Sequence, residues 1–153
     1  MRIRLIRVKS ILNRSKINNG YTLNPYVGCG HGCVYCYNQD FLLRLRRPAL
    51  TEPEQDKSFG GQTCIRRSPE KWGQFLDVKI NGPEILAKEI IKKPKMPVFL
   101  STVTDPFNPL EAKYQISQRC LEILLRHQWP VTILTKSNLI LRTIDLLKQF
   151  KKN

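Results

Sequence analysis

Cys29, Cys33 and Cys36 stand in the spacing C-x3-C-x2-C within the stretch NPYVGCGHGCVYCYNQD. Three thiols so close together suit a disulfide scaffold, a zinc knuckle or the cradle of an iron-sulfur cluster. The chain has five cysteines, an odd number, and no secretory signal, so the thiols are expected to be reduced and available to a metal. Structural zinc takes four ligands, usually as two separated pairs. Here His31 or the remote Cys64 would have to be the fourth, and closing a tetrahedron over so short a loop is awkward. Three thiolates instead satisfy three irons of a cubane and leave the fourth open to a ligand. Gly28, Gly30 and Gly32 let main-chain N–H groups approach the sulfurs. With Cys64 added, the same residues give an ordinary four-cysteine electron-transfer cluster.

Strands and helices must position this loop. Tyr21 to Val27 reads as a strand running into it, and Tyr37 to Arg47 as a helix closed by Pro48. Residues 48–70 read as a long loop, a length often tied to function. Phe75 to Ile80 reads as a strand. A helix follows, with Pro83 in its first turn and Leu86, Ala87, Ile90 and Ile91 on its apolar face. Val98 to Val103 has the β-branched content of a buried parallel strand. Ile116, Cys120, Ile123, Leu124 and His127 recur at helical spacing. Val131 to Thr135 is the next strand, and Ile144, Leu147 and Phe150 mark a last amphipathic helix. This order predicts an α/β fold, a parallel sheet of about four βα units. The expected divisions are a basic segment over 1–20 and a core over 21–153. In such sheets sites gather at the C-terminal strand ends. The cysteine loop, Ser101-Thr102-Val103-Thr104-Asp105-Pro106 and Thr135-Lys136-Ser137 all fall there.

The chain is 153 residues long, 41% hydrophobic, with a net charge of +14. That size allows one domain with a real core. Arg2, Arg4, Arg7, Lys9, Arg14 and Lys16 precede the first acidic residue, and Arg44, Arg46 and Arg47 follow the cysteine loop. Such a field attracts polyanions, so nucleic acid is the expected partner class; solvation of the surface, or of a face that another subunit meets, is the plainer alternative. No apolar run reaches the roughly 20 residues of a membrane span. No membrane association and a cytoplasmic location are the expectations.

Cys29-x3-Cys33-x2-Cys36 with Tyr35 resembles the signature of radical S-adenosylmethionine enzymes. The wider string Asn24 to Tyr37, Thr104-Asp105-Pro106-Phe107-Asn108-Pro109-Leu110-Glu111 and Thr135-Lys136-Ser137 resemble the branch related to spore photoproduct lyase, often described as DNA repair photolyase-like. The likeness runs from about Lys9 to Leu147. It implies a partial, truncated TIM-like barrel and a 4Fe-4S cluster on Cys29, Cys33 and Cys36. The open iron would chelate S-adenosylmethionine, and an electron from a reductant protein would cleave it to methionine and a 5′-deoxyadenosyl radical, a lyase-like chemistry. It also implies that Tyr35 lies near the adenine, that Ser101, Thr104 and Asp105 meet the methionine or ribose part, and that Lys136 meets the carboxylate. The superfamily's Gly-Gly-Glu motif is not visible, which makes Asp105 the candidate for the methionine ammonium. Asn38, Phe107-Asn108 and Thr143 depart from the branch's usual residues.

Other residues invite plain readings. Cys120 lies on an apolar helix stripe and reads as a core thiol; Cys64 reads as an incidental one. His127 suits a helix C-terminus, His31 shapes the loop, and Asp105-Pro106 suits a helix-initiating turn. Trp72 and Trp129 read as packing residues. Six βα units are usual in the superfamily and about four are present here. The expectation is therefore a fragment, or a subunit needing a partner chain to complete the barrel and cover its open edge. The alternative function is a noncatalytic cluster- or zinc-binding nucleic-acid module.

Overall fold

The computed structural model describes residues 1–15, 19–38 and 72–150. The helix expected beyond Asn38, the 48–70 loop, Cys64 and Arg44, Arg46 and Arg47 lie outside the described residues. Among the described residues, seven strands form two sheets. The first has the order β1 (Arg2–Ile6), β5 (Phe75–Lys79), β4 (Tyr26–Gly28), with β1 parallel and β4 antiparallel to the central β5. The second has the order β2 (Leu12–Arg14), β3 (Tyr21–Leu23), β6 (Val98–Leu100), β7 (Val131–Ile133). In it β3, β6 and β7 run parallel and β2 pairs antiparallel with β3.

This pairing differs from the single parallel sheet expected. The strand foreseen over 21–27 is two strands in two sheets, broken at Asn24-Pro25. The Asn24 side chain accepts from the main-chain N–H groups of Thr102 (3.0 Å) and Val103 (3.4 Å). Pro25 has no N–H to continue a ladder, while its carbonyl accepts from Lys79 N–H at 3.2 Å. The chain thus leaves β6 on one side and joins β5 on the other.

The N-terminal 20 residues supply β1 and β2, and Ile11 and Leu12 are wholly buried in the main core. Two side chains stitch the segment down. Asn81 exchanges two 2.8 Å hydrogen bonds with the main chain of Val8. Glu89 accepts from the N–H groups of Ile11 (3.0 Å) and Leu12 (2.8 Å) and from the Ser10 hydroxyl.

Helix α1 (Gly82–Ile90) begins with Pro83 in its first turn and buries Leu86 and Ile90. It packs on α3 (Ile116–Arg126), whose buried stripe is Ile116, Cys120, Leu121 and Leu124. His127, expected on that stripe, is the exposed C-cap residue instead. Before α3 comes the single turn α2 (Glu111–Tyr114), separated from it by Gln115 at φ +50°. The last helix, foreseen at Ile144, Leu147 and Phe150, is the short α4 (Ile144–Leu147), and a 3₁₀ segment, Asn138–Thr143, leads into it. No helix among the described residues is long and apolar enough to cross a membrane.

Candidate functional site

The cysteine loop leaves β4 through Gly28 at φ +84°, where a Cβ would stand 2.4 Å from the Phe75 carbonyl oxygen. Only glycine fits there. Further on, Gly32 (φ +57°) meets Gly73 (φ +87°) backbone to backbone; a Cβ on Gly73 would lie 2.8 Å from the Cα of Gly32. Two glycines therefore press the loop onto the turn before β5. The Cys36 N–H donates to the Cys33 carbonyl at 3.1 Å and folds the C-x2-C pair into a turn.

Cys29 is buried, while Cys33 and Cys36 are partly exposed. Burial pushes the Cys29 thiol above its ordinary range, and the backbone at His31 and Asp105 acts in the opposite direction. Among the described residues no three His, Cys, Asp or Glu side chains stand together in the arrangement of a bound metal ion. His31 is turned elsewhere: its buried Nε2 lies 3.4 Å from Asp105 Oδ2, outside hydrogen-bond geometry. Cys120 is wholly buried on α3, away from solvent, and burial raises its thiol well above the ordinary value.

The loops after β6 and β7 meet the cysteine loop at Asp105. Its Oδ1 accepts from the Phe107 N–H (2.8 Å) and the Thr135 hydroxyl (2.7 Å), and its Oδ2 from the Lys136 N–H (2.9 Å). The bond to Phe107 N–H is the turn expected of Asp-Pro. The other two link the β6 loop to the β7 loop. Thr104 donates its hydroxyl to the Gly28 carbonyl, tying the β6 loop to the start of the cysteine loop. Both residues thus hold protein partners. Ser101 does not: its buried hydroxyl has no hydrogen-bond partner, and its φ of +65° is strained for a residue bearing a Cβ.

Tyr35 is 72% exposed, and Lys136 Nζ lies 4.0 Å from the centroid of its ring. This cation–π contact brings the ammonium at the end of β7 over the cysteine loop. The neighbouring Tyr37 donates its hydroxyl to the Thr102 carbonyl. Cys29, Tyr35, Ser101, Thr104, Asp105 and Lys136 are thus on three contiguous loops. Asn24 and Thr135 join them as residues given no role from sequence. A polar residue before proline, and a hydroxyl beside a rim lysine, were the signals available.

Part of the basic charge is spent internally. Arg4 forms a two-pronged ion pair with the buried Asp77, with Nε–Oδ1 2.8 Å and Nη2–Oδ2 2.6 Å, and Arg2 lies 3.9 Å from the same carboxylate. Arg7 and Lys9, by contrast, are exposed.

Several proteins are similar to this chain. An uncharacterized protein of Methanocaldococcus jannaschii is 30% identical over 146 residues, covering 95% of this chain and 46% of the relative. An uncharacterized protein of Acidianus two-tailed virus is 27% identical over 137 residues, covering 89% and 40%. Another, of Mycobacterium bovis, is 27% identical over 145 residues, covering 93% and 37%. The chain spans less than half the length of these curated relatives. No family model matches it. No solved structure matches it either.

Proposed function

We propose that this chain is the N-terminal part of a radical S-adenosylmethionine protein, with Cys29, Cys33 and Cys36 holding a 4Fe-4S cluster. The observation that carries the reading is one loop bearing three thiols. A lysine from the loop after β7 lies over its aromatic residue. Soft thiolates suit an iron-sulfur cluster. When bound and reduced, that cluster supplies the electron that splits the sulfonium of S-adenosylmethionine.

The chain's own residues bind and orient. Lys136 offers its ammonium to the carboxylate of the cofactor. Ser101 offers a buried hydroxyl that lacks a protein partner. Tyr35 supplies a ring and backbone beside the adenine. Thr104 and Asp105, whose side chains already hold protein groups, shape the rim rather than meet the ligand. The two sheets would belong to a partial TIM-like barrel, completed by further βα units on the remainder of a longer protein or on a partner chain.

Nucleic acid is the proposed substrate class, on the strength of the +14 charge and exposed residues such as Arg7 and Lys9. A reductant protein would supply electrons, in the cytoplasm, where thiols stay reduced. The second reading, a noncatalytic cluster- or zinc-binding nucleic-acid module, draws on the same charge.

Anaerobic reconstitution with iron and sulfide, followed by dithionite and S-adenosylmethionine, tests the proposal. Cluster uptake with 5′-deoxyadenosine formation supports it. Zinc uptake without a cluster favours the binding module.

A further inference from the structure

Asp105 is 7% exposed and is the point where all three rim loops converge. Its carboxylate holds the Thr135 hydroxyl at 2.7 Å and the Lys136 N–H at 2.9 Å, with His31 Nε2 at 3.4 Å. The Thr135 hydroxyl, besides donating to Asp105, accepts from the Ser137 N–H at 3.0 Å, and Ser137 Oγ accepts from the Leu139 N–H at 3.2 Å. The stretch from Thr135 to the 3₁₀ segment is thus a relay of short-range bonds with Asp105 at its head.

A carboxylate so engaged has little capacity left for a cofactor ammonium, since its two oxygens offer about four acceptor sites. What it can do is fix geometry. A buried aspartate accepting main-chain and hydroxyl donors is a rigid bracket, and charge-assisted bonds of this kind are stronger than neutral ones. Lys136 has a long, flexible stem, so its aim depends on where the backbone at 136 is held.

We infer that Asp105 is a positioning residue that sets Lys136 relative to the cysteine loop, so that the ammonium and the open edge of the thiol cradle face one carboxylate-bearing ligand together. The inference rests on the proposed cluster and cofactor reading, and it assigns Thr135 as the second member of the bracket.

Two variants and one rescue test it on the full chain. Asp105→Asn keeps the size of the side chain and can present its amide nitrogen, rather than an oxygen, to the Lys136 N–H. Thr135→Val removes the hydroxyl, and Thr135→Ser returns it. Without metal, hydrogen exchange of the Lys136 amide should quicken by about tenfold in Asp105→Asn. After reconstitution, iron per chain should match the wild type in every variant. The dissociation constant for S-adenosylmethionine should rise by about tenfold in Asp105→Asn and Thr135→Val and return in Thr135→Ser. Unchanged exchange and unchanged affinity would overturn the inference. So would an affinity loss in Thr135→Val that Thr135→Ser fails to restore. If the wild type takes up no cluster, the proposed function falls, and the exchange rates still judge the bracket.

Discussion

Tyr26 donates its phenolic hydrogen to Glu111, a residue 85 positions later, and so joins the strand leading into the cysteine loop to the turn that precedes α3. Glu111 also accepts from the N–H groups of Ser117 (3.1 Å) and Gln118 (2.9 Å). Those are orphan donors of the first turn of α3, which Gln115 at the N-cap leaves uncapped by its side chain. Replacing Glu111 by alanine strands three donors in the interior and should cost about 3 kcal/mol in urea unfolding. A change below ~1 kcal/mol would deny the cap its role.

The same pair gives a pH dependence. Burial, ahead of the Glu111 charge, pushes the Tyr26 hydroxyl far above its ordinary 10.0. Burial also pushes the Glu111 carboxyl above 4.5, despite its donors. Each group binds its proton more tightly folded than unfolded, so its contribution is complete below the unfolded value and is lost as pH rises. Stability should therefore fall as pH rises above 10.0, and Tyr26→Phe should make that fall shallower. A steeper alkaline fall in Tyr26→Phe would contradict the account.

Glycine is required at 28 and dispensable at 30. A Cβ at Gly28 meets the Phe75 carbonyl oxygen at 2.4 Å, whereas at Gly30 its nearest neighbours are Met1 Sδ and Pro109 Cδ, both at 3.4 Å. Gly28→Ala should cost at least about 2 kcal/mol and reduce iron uptake. Gly30→Ala should fall within about 1 kcal/mol of wild type. Thermal melts and iron counts on both variants check this.

The basic residues of β1 and those after it should separate stability from binding. Arg4→Ala leaves buried Asp77 with a weakened partner set and should cost about 2 kcal/mol. Arg7→Ala and Lys9→Ala should leave the melting point unchanged and weaken binding to a DNA duplex. Each should also reduce the salt slope of that binding by about 1. Equal binding by wild type and both variants would sink that contact.

Much of the α/β order was legible. The strand read over Val98 to Val103 is present over Val98–Leu100, and Ile116, Cys120 and Leu124 of the expected stripe are buried on α3. The N-terminal strands were hidden because Arg2 and Arg4 dominate the reading of Arg-Ile-Arg-Leu-Ile, and their neutralising partner, Asp77, comes 73 positions after Arg4. Long-range pairing of this kind leaves no local pattern. The break at Asn24-Pro25 was visible as a proline signal, but which sheet each half joins depends on the amides of Thr102 and Val103. At the site, residue types pointed to the three rim loops. Whether Asp105 faces a ligand or a neighbouring loop is a matter of tertiary geometry, and three donors from its own chain answer it.

The most direct measurement is the electron paramagnetic resonance spectrum of the anaerobically reconstituted, reduced protein, with and without S-adenosylmethionine, in wild type and Cys33→Ala. The account predicts a reduced-cluster signal that changes on adding the cofactor and is lost in Cys33→Ala. A cluster signal indifferent to S-adenosylmethionine, or zinc binding with no cluster at all, would contradict it.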